Sequence, residues 1–432
     1  MALLLKNARC VDPQVELDAI CDVLVRDGQI AQIGKPGTVD MAKGVQKDLS
    51  GRILIPGMMD MHVHLREPGY EYKEDVASGS RAAAKGGFTA VLCMPNTKPV
   101  INDATQVAYV IDKAQLYART NIYVAGALSH GLKGEALSEM GDMVSSGAIA
   151  FTDDGRGVQD SGMMRRAMDY AKQFNVPVLS HCQDEGLVAN GVVNEGLVST
   201  RLGLASWPAA GEEIQIARDI ALCEITGCAL HVQHISTARG VDLVRAAKNA
   251  GLPVTCEVTP HHLFLCEDDL DERYDTNLKM NPPLRTRDDM LALQTALTEG
   301  IIDCVATDHA PHAAHEKALE FELAPFGTIG LETALGLVYG NLVAGGKMTL
   351  ASMIARMSVA PRRILGLQAV RLEEGNVADL TIFNPDILWT VRAEDFCSKS
   401  KNSAFLGLEL KGRATDVYVE GYASLEDGKV VD

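Results

Sequence analysis

The sequence predicts an α/β fold, namely a closed (β/α)8 barrel of the TIM type with a small β-sandwich domain formed from both chain termini. Its 432 residues exceed one ordinary core but suit a barrel with an appendage. Short apolar segments alternate with helical patterns through the middle of the chain, which is typical of parallel βαβ units. Both ends contain short strand-like segments instead. The barrel is therefore predicted over residues 55–365, and the second domain over residues 1–54 plus 366–432.

The terminal segments predict strands separated by turns. They read "LLLKNARCVDP" and "DVLVRDGQIAQIGKPG" before the barrel, and "GNVADLTIFNP" and "RATDVYVEGYASLEDGKVV" after it. The pairs Asp27-Gly28 and Asp427-Gly428 suit two-residue β-hairpin turns. Neither end alone offers enough strands for a stable domain, so we expect the two ends to combine.

Eight buried strands are predicted between these ends. In order, they are "MDMHVHL" from residue 59, "FTAVLCMPN" from 88, "NIYVAGALS" from 121, "AIAFTDDG" from 148, "VPVLSHC" from 176, "ALHVQHIS" from 229, "LPVTCEV" from 252 and "IIDCVATDHAPH" from 301. Helical patterns separate most of them, and the clearest cover 103–119, 161–174, 211–226 and 286–299, each preceded by turn or capping residues. Eight such units are the number that closes a barrel.

The first barrel strand lies within "GMMDMHVHLREPG" and interleaves apolar with polar residues. Regular alternation places Met59, Met61, Val63 and Leu65 on one face, and Asp60, His62, His64 and Arg66 on the other. Two imidazoles side by side can chelate one divalent ion, and imidazole is a common ligand of zinc. A half-buried strand with a solvated polar face would show the same pattern, so further ligands are needed.

Further polar residues, some of them candidate ligands, occur where the other strands end, which is where barrel enzymes place their sites. They are Asn96 after strand two, Asp153 and Asp154 after four, His181 after five, His234 after six, and Asp308, His309 and His312 after eight. Four histidines and two aspartates could hold two divalent ions. The pKa of water bound between them would fall from about 15.7 toward about 7, which makes hydroxide available at neutral pH. Asp308 is then the predicted general base and acid.

Composition excludes several other classes of protein. The formal charge is −17 and no cluster of Lys and Arg occurs, which argues against binding to nucleic acid or to an anionic membrane. The opening "MALLLK" is too short for a signal peptide, and no apolar run approaches the length of a membrane span. Ten cysteines without a C-x-x-C pair suggest reduced thiols. We therefore expect a cytoplasmic protein.

The segments "DMHVHLREPG", "FTDDG" and "ATDHAPHAAHEK" resemble the amidohydrolase superfamily, and within it the class I dihydroorotases. The resemblance covers nearly the whole chain through "CMPNTKPV", "LSHCQD", "HISTARG", "EVTPHHL", "KMNPPLR" and "PFGTIGLETAL". It implies an enzyme of pyrimidine biosynthesis, with one or two Zn²⁺ per chain, that interconverts N-carbamoyl-L-aspartate and L-dihydroorotate.

The resemblance also implies a metal-ligand set. His62, His64 and Asp308 would bind the more buried metal, His181 and His234 the second, and Asp154 one or both. Relatives such as dihydropyrimidinase and allantoinase are expected to have a carboxylated lysine at the end of strand four, whereas "AIAFTDDG" contains no lysine. Asp153 rivals Asp154, and alternation lets only one of them face the metals. His231 is likewise a rival of His234, but the resemblance favours the histidine before "IS".

Arg66 predicts a substrate with a carboxylate. It follows His64 by two residues, so it points from the same face, and a guanidinium can bind a carboxylate through two hydrogen bonds. Dihydroorotate has such a group, whereas hydantoin and dihydrouracil rings do not. By resemblance, Asn96 and His312 complete the carboxylate site, and Asn281 with the backbone near Phe326 and Gly327 would hold the ring amides. His64 is a further implied substrate contact.

Three functional hypotheses follow from the sequence. The chain is a class I dihydroorotase, another cyclic amidase of the dihydropyrimidinase, hydantoinase or allantoinase kind, or a non-catalytic scaffold for a partner such as aspartate transcarbamoylase. A degenerate scaffold is expected to have lost metal ligands, whereas all six candidate positions are occupied here, which favours the first hypothesis. A homodimer and an association with aspartate transcarbamoylase are both compatible with it.

Overall fold

The computed structural model describes residues 2–41 and 43–431, and these form the predicted barrel and a second sheet built from both ends of the chain. The strands are β1 (Ala2–Asp12), β2 (Leu17–Arg26), β3 (Gln29–Gly34), β4 (Val45–Asp48), β5 (Ile53–Pro56), β6 (Met58–Val63), β7 (Phe88–Cys93), β8 (Asn121–Gly126), β9 (Ala148–Phe151), β10 (Val178–Ser180), β11 (Val193–Asn194), β12 (Ser206–Trp207), β13 (Leu230–Val232), β14 (Val254–Val258), β15 (Cys304–Val305), β16 (Leu380–Thr390), β17 (Glu409–Val419), β18 (Tyr422–Glu426) and β19 (Lys429–Val430).

The α-helices lie mostly between the barrel strands. They are α1 (Val76–Gly86), α2 (Ala104–Tyr117), α3 (Met140–Ser145), α4 (Ser161–Lys172), α5 (Glu185–Val188), α6 (Leu197–Leu202), α7 (Ala210–Thr226), α8 (Ala238–Asn249), α9 (Pro260–Phe264), α10 (Arg287–Glu299), α11 (Ala314–Lys317), α12 (Ala334–Val338), α13 (Leu350–Ile354) and α14 (Ala360–Ile364). None of the helices in the described ranges is both long enough and apolar enough to span a membrane.

The barrel consists of eight parallel strands in the order β15-β14-β13-β10-β9-β8-β7-β6. It closes where a parallel bridge pairs Val63 at the end of β6 with His309 beyond β15, and the His64 amide donates to the His309 carbonyl at 2.9 Å. The predicted fold class is confirmed. Closure brings the segments after the first and the last barrel strand together at one mouth.

The second sheet joins the two chain ends. Its strand order is β19-β18-β17-β16-β5-β1-β2-β3, with β4 paired to β1, and the contact between β5 and β16 links the N-terminal strands to the C-terminal ones. Both predicted hairpin turns occur: φ is 50° at Asp27 and 82° at Gly28, and 46° at Asp427 and 76° at Gly428. The predicted boundary between residues 54 and 55 falls within β5, and the domain boundaries remain a proposal.

The four clearest helical patterns are all helices, and their ends differ slightly from the predictions. The pattern over 103–119 corresponds to α2, and the pattern over 286–299 corresponds to α10. Asp103 and Thr286 are their N-caps, with extended backbones and side chains that accept hydrogen bonds from the first turn. A cap residue is outside the helix by backbone conformation, which explains the shift of one residue.

One prediction about β6 was wrong. Asp60 pairs with Val91 and Val63 with Cys93, so β6 carries one residue more than β7 between these pairs. Such a bulge reverses the alternation beyond it. Met59 and Met61 consequently pack in one apolar cluster, and Val63 and Leu65 in another. The four residues do not share a face, as regular alternation had predicted.

Candidate active site and metal centre

A cavity of about 290 Å³ lies at the barrel mouth. Its lining residues are His64, Arg66, Asn96, Asp154, Gly155, His181, His234, Asn281, Asp308, Ala310, His312, Pro325, Phe326 and Gly327. Every substrate contact predicted from the sequence is among them, as are five of the six predicted metal ligands. The sixth, His62, lies below the cavity and is completely buried.

The first donor group surrounds His62. Its Nε2 lies 3.3 Å from Asp154 Oδ1 and 3.6 Å from Asp308 Oδ1. The Nε2 of His64 lies 2.9 Å from Asp308 Oδ1 and 3.6 Å from Asp154 Oδ2. Two imidazoles and two carboxylates thus meet at one point, although the chain separates the histidines from Asp308 by more than half of its length.

The second donor group shares Asp154 with the first. Asp154 Oδ1 lies 3.6 Å from His181 Nδ1 and 4.0 Å from His234 Nε2, and these two ring nitrogens are 2.8 Å apart. Asp153 points elsewhere, because its carboxylate accepts hydrogen bonds from the amide, at 3.0 Å, and the hydroxyl of Ser129. Of the two neighbouring aspartates, only Asp154 therefore lies between the donor groups.

The donor atoms fit divalent metal ions. His62 Nε2 is buried and makes no hydrogen bond with any described residue, and burying an unpaired polar atom costs free energy unless something binds it. Imidazole nitrogen and carboxylate oxygen are ligands of zinc. The donor atoms of His62, His64 and Asp154 lie within 4.8 Å of one another, and so do those of Asp154, His181 and His234.

The electrostatics favour the ionised carboxylates that a metal requires. Burial alone would raise the pKa of Asp154, but the neighbouring His62 and His181 outweigh it and hold that pKa well below its usual range. The pKa of Asp308 is also lowered, because His62 and His64 outweigh its burial. Burial, together with His181 and His62, lowers the pKa of His234 to about 3, so that imidazole is neutral.

Glu257 is a functional candidate that the sequence interpretation missed. The His62 Nδ1–H donates to Glu257 Oε1 at 2.6 Å, and Glu257 Oε2 lies 3.2 Å from His231 Nε2. A carboxylate on Nδ1 fixes the tautomer that leaves Nε2 free to bind a metal. His231, the alternative to His234 in the sequence interpretation, therefore contacts Glu257 and belongs to neither of the two donor groups. The available signal was a single charged residue in the otherwise uncharged strand segment "LPVTCEV".

Replacing Glu257 should weaken metal binding. We expect Glu257→Gln to lower metal affinity by about 10- to 100-fold, the usual effect of losing a partner that orients a metal-binding histidine. Competition with a chelator measures the affinity, and circular dichroism checks the fold. Glu224→Gln, at an exposed position on α7, is the matched control. Equal affinities for the two variants and the parent would contradict this role.

Several site residues have backbones that L-residues rarely adopt. The angle φ is 62° at Arg66, 30° at His234 and 47° at Asp308. Each of these residues follows a barrel strand. A left-handed backbone at a residue other than glycine costs about 1–3 kcal/mol, and such residues cluster at functional sites. These strained positions turn the three side chains into the cavity that they line.

The predicted substrate contacts form a connected polar wall. Asn96 links the two donor groups to this wall, because its Oδ1 lies 2.9 Å from His64 Nδ1 and its Nδ2 donates to Asp154 Oδ2 at 3.1 Å. An Arg66 Nη2 lies 3.3 Å from His312 Nε2, which in turn lies 2.8 Å from the Phe326 carbonyl oxygen.

Asn281 also lines the cavity. Its Nδ2 donates to Gln183 Oε1 at 3.2 Å, and the same Gln183 oxygen lies 2.9 Å from His181 Nε2. The Oδ1 of Asn281 is buried and makes no hydrogen bond within the described chain. It is therefore an acceptor available to a ligand. Gln183 is a second residue that the sequence interpretation missed.

A parallel β/α barrel with two histidine and aspartate donor groups at its mouth defines a metal-dependent hydrolase of the amidohydrolase class. A model of the family described as "Dihydro-orotase-like" matches residues 51–240. The chain is 48% identical over 422 residues to a "Dihydroorotase" of Geobacter metallireducens, covering 98% of this chain and 99% of that protein. A "Dihydroorotase" of Pelotomaculum thermopropionicum is 47% identical over 427 residues and is covered to 99%, as is this chain. The chain belongs to the dihydroorotase family.

Solved structures of hydantoinases share the fold. The L-hydantoinase (dihydropyrimidinase) from Arthrobacter aurescens has a TM-score of 0.89 at 26% identity, with 100% of this chain and 97% of that chain covered. The D-hydantoinase (dihydropyrimidinase) from Thermus sp. has a TM-score of 0.86 at 25% identity, with 99% and 96% covered. Sequence identity is thus much higher to the dihydroorotases than to these hydantoinases.

Proposed function

We propose that this chain is a dihydroorotase, which interconverts N-carbamoyl-L-aspartate and L-dihydroorotate in the biosynthesis of pyrimidine nucleotides. One observation carries the proposal: Arg66, a cation suited to binding a carboxylate, lines the same cavity as Asp308, His64, His181 and His234. Full-length identity to proteins named dihydroorotase supports it. A cyclic amidase for uncharged rings would have no need of a guanidinium in this place.

The metal in this proposal is zinc, with one or two ions per chain. His62, His64 and Asp308 would hold one, His181 and His234 the other, and Asp154, which lies between the two groups, would contact one or both. Bound zinc would lower the pKa of water and polarise the carbonyl group under attack.

Asp308 is the proposed general base and acid. Its carboxylate lines the cavity, and its lowered pKa keeps it ionised at neutral pH, so it can accept a proton from the attacking water. Water adds to the ring carbonyl carbon, the C–N bond of the cyclic amide breaks, and Asp308 returns the proton to the leaving nitrogen. The reverse sequence closes the ring.

Arg66 would bind the substrate carboxylate, with Asn96 and His312 beside it. Burial and the nearby Arg66 hold the pKa of His312 well below its usual range, so the imidazole is neutral and the guanidinium supplies the charge. The unpaired Oδ1 of Asn281 would accept from a ring N–H. The backbone near Phe326 and Gly327 would hold the remaining amide of the ring.

Metal analysis and substrate comparison together test the proposal. We expect the purified chain to contain zinc, to hydrolyse dihydroorotate in preference to dihydrouracil and hydantoin, and to lose this activity to a chelator. Preference for an uncharged ring would support the second hypothesis, a cyclic amidase of the hydantoinase kind. A chain that turns over none of the three compounds would support the scaffold hypothesis.

Arg66→Lys should weaken recognition of the substrate carboxylate. A lysine ammonium lacks the planar fork that makes two parallel hydrogen bonds, so we expect substrate binding to weaken by about 1.5–3 kcal/mol. Metal content should stay unchanged, because Arg66 is not a proposed ligand. Arg165→Lys, on the exposed surface of α4, is the control. Normal binding of dihydroorotate by Arg66→Lys would remove the argument for an anion site.

Location and partners complete the proposal. We expect the protein in the cytoplasm, and a homodimer and an association with aspartate transcarbamoylase are both compatible with the proposal. Sedimentation of the purified chain with and without aspartate transcarbamoylase tests both interactions. A monomer that sediments independently of that enzyme would contradict them.

A further inference from the structure

The segment 396–404, which follows the barrel in sequence, reaches the wall of the active-site cavity. It lies between a 3₁₀ turn at Ala393–Asp395 and strand β17, far along the chain from every predicted site residue. Asn402 is its buried polar contact with the cavity wall and is only 5% exposed.

The side-chain amide of Asn402 joins two loops of the site. Its Oδ1 accepts from the backbone amide of His312 at 3.0 Å. Its Nδ2 donates to the carbonyl of Ala310 at 3.0 Å and to that of Gly327 at 3.2 Å. The first loop carries His312, and the second carries Phe326 and Gly327. One amide group thereby sets the spacing between two of the proposed substrate-binding elements.

The second loop depends on such contacts because residues 318–333 contain no helix or strand. Two almost fully buried lysines, Lys279 and Lys317, hold its backbone oxygens. Lys279 Nζ donates to the carbonyls of Glu322 (2.9 Å) and Ala324 (2.7 Å), and Lys317 Nζ to those of Pro325 (3.0 Å) and Gly327 (2.9 Å).

Burying these two ammonium groups costs free energy, which argues that the position of the loop matters. Burial lowers the pKa of Lys279 to about 8, and burial together with Lys279 lowers that of Lys317 to about 7. Neither ammonium group has a carboxylate within 4.0 Å among the described residues, so backbone carbonyls, and for Lys279 also the Phe326 ring at 4.4 Å, compensate for lost hydration. Asn402 and Lys317 converge on the same Gly327 oxygen.

We propose that Asn402 is a positioning residue that determines how tightly the site binds its substrate. It acts through His312 and through the backbone at Gly327, and it does not touch the metal ligands. The inference rests on the proposed function, because it assigns these loops to the ring and carboxylate of dihydroorotate. It also means that a segment outside the predicted barrel completes the active site.

Asn402→Asp tests the inference with little change of shape. The carboxylate can still accept from the His312 amide, but it places a negatively charged oxygen opposite the carbonyls of Ala310 and Gly327. We expect KM for dihydroorotate to rise on the order of tenfold, because both hydrogen bonds that Nδ2 donates are lost, with a smaller change in kcat and unchanged metal content. Asn384→Asp is the matched control. The Oδ1 of Asn384 accepts from the Asp386 amide, and its Nδ2 donates no hydrogen bond within the described residues.

A second variant and a second readout keep the test decisive. Lys317→Met removes the other donor to the Gly327 oxygen and should raise KM in the same direction, which decides the matter if Asn402→Asp does not fold. Amide hydrogen exchange should quicken at Ala310, at His312 and in residues 326–329 of Asn402→Asp, with or without substrate. A folded Asn402→Asp with normal KM and normal exchange would overturn the inference.

The two possible failures are distinguishable. If the parent chain does not hydrolyse dihydroorotate, the proposed function is wrong, and hydrogen exchange still tests whether Asn402 holds the two loops. If the parent is active and Asn402→Asp loses only thermal stability while KM stays normal, the residue is structural and the positioning role is wrong.

Discussion

Asp308→Asn is expected to lower dihydroorotate turnover by at least ~10²-fold, the low end for the loss of a general base. The amide has the size of the carboxylate but cannot take a proton from water. It should also weaken the proposed metal site, since Asp308 Oδ1 lies 2.9 Å from His64 Nε2 and 3.6 Å from His62 Nε2. The left-handed backbone at Asp308 suits asparagine as well as aspartate, so the fold should persist.

Single-turnover kinetics with metal analysis on the same sample measure this effect. Asp386→Asn serves as the control, because Asp386 is an exposed residue of β16 far from the cavity in sequence and in its contacts. If Asp308→Asn keeps its metal and turns over substrate at a near-normal rate, Asp308 is not the base, and another group must move the proton.

Asp154→Ala should reduce metal content toward one ion per chain. Without it, the first group would keep His62, His64 and Asp308, and three protein ligands are usual for catalytic zinc. The second group would keep only His181 and His234, which are too few to hold an ion firmly. Asp154 Oδ1 lies 3.3 Å from His62 Nε2 and 3.6 Å from His181 Nδ1, so its loss affects both groups, but unequally.

The neighbouring residue provides the matched comparison. Asp153→Ala should retain both metals and lose thermal stability instead, because it leaves the buried amide of Ser129 without its acceptor, at a cost of about 1–3 kcal/mol. Atomic absorption on both variants decides the assignment. Metal loss in Asp153→Ala with full content in Asp154→Ala would reverse it, and loss in neither would remove this strand end from the metal site.

The barrel and the position of its mouth could be predicted because they depend on local patterns. Alternating apolar segments and capped helices predicted the β/α units, and the end of a parallel strand is the end of a short apolar run. Asp103 and Thr286, for example, cap the helices that they were expected to begin. The polar residues that follow each run could thus be assembled into one site without knowledge of the tertiary structure.

The alternation within β6 could not be predicted in the same way. A single bulge between Asp60 and Val63 moves Met59 and Met61 into a different apolar cluster from Val63 and Leu65. The bulge is a property of how β6 pairs with β7, and no residue type in β6 requires it. His62 lies within the bulge and His64 beyond it, and both side chains reach the site.

The sequence by itself determined many of the side chains that surround the cavity, since residues that terminate parallel strands must meet at one end of a closed barrel. Asn281, Phe326 and Gly327 end no barrel strand and followed only from the resemblance to dihydroorotases. Only the tertiary structure decided which residues support them. Glu257 binds His62 across 195 positions, and Asn402 binds the His312 amide across 90. A hydrogen bond between two such distant residues leaves no periodic pattern and no fixed spacing in the sequence by which it could be predicted. It exists only when packing brings one donor and one acceptor within about 3 Å and excludes water from both.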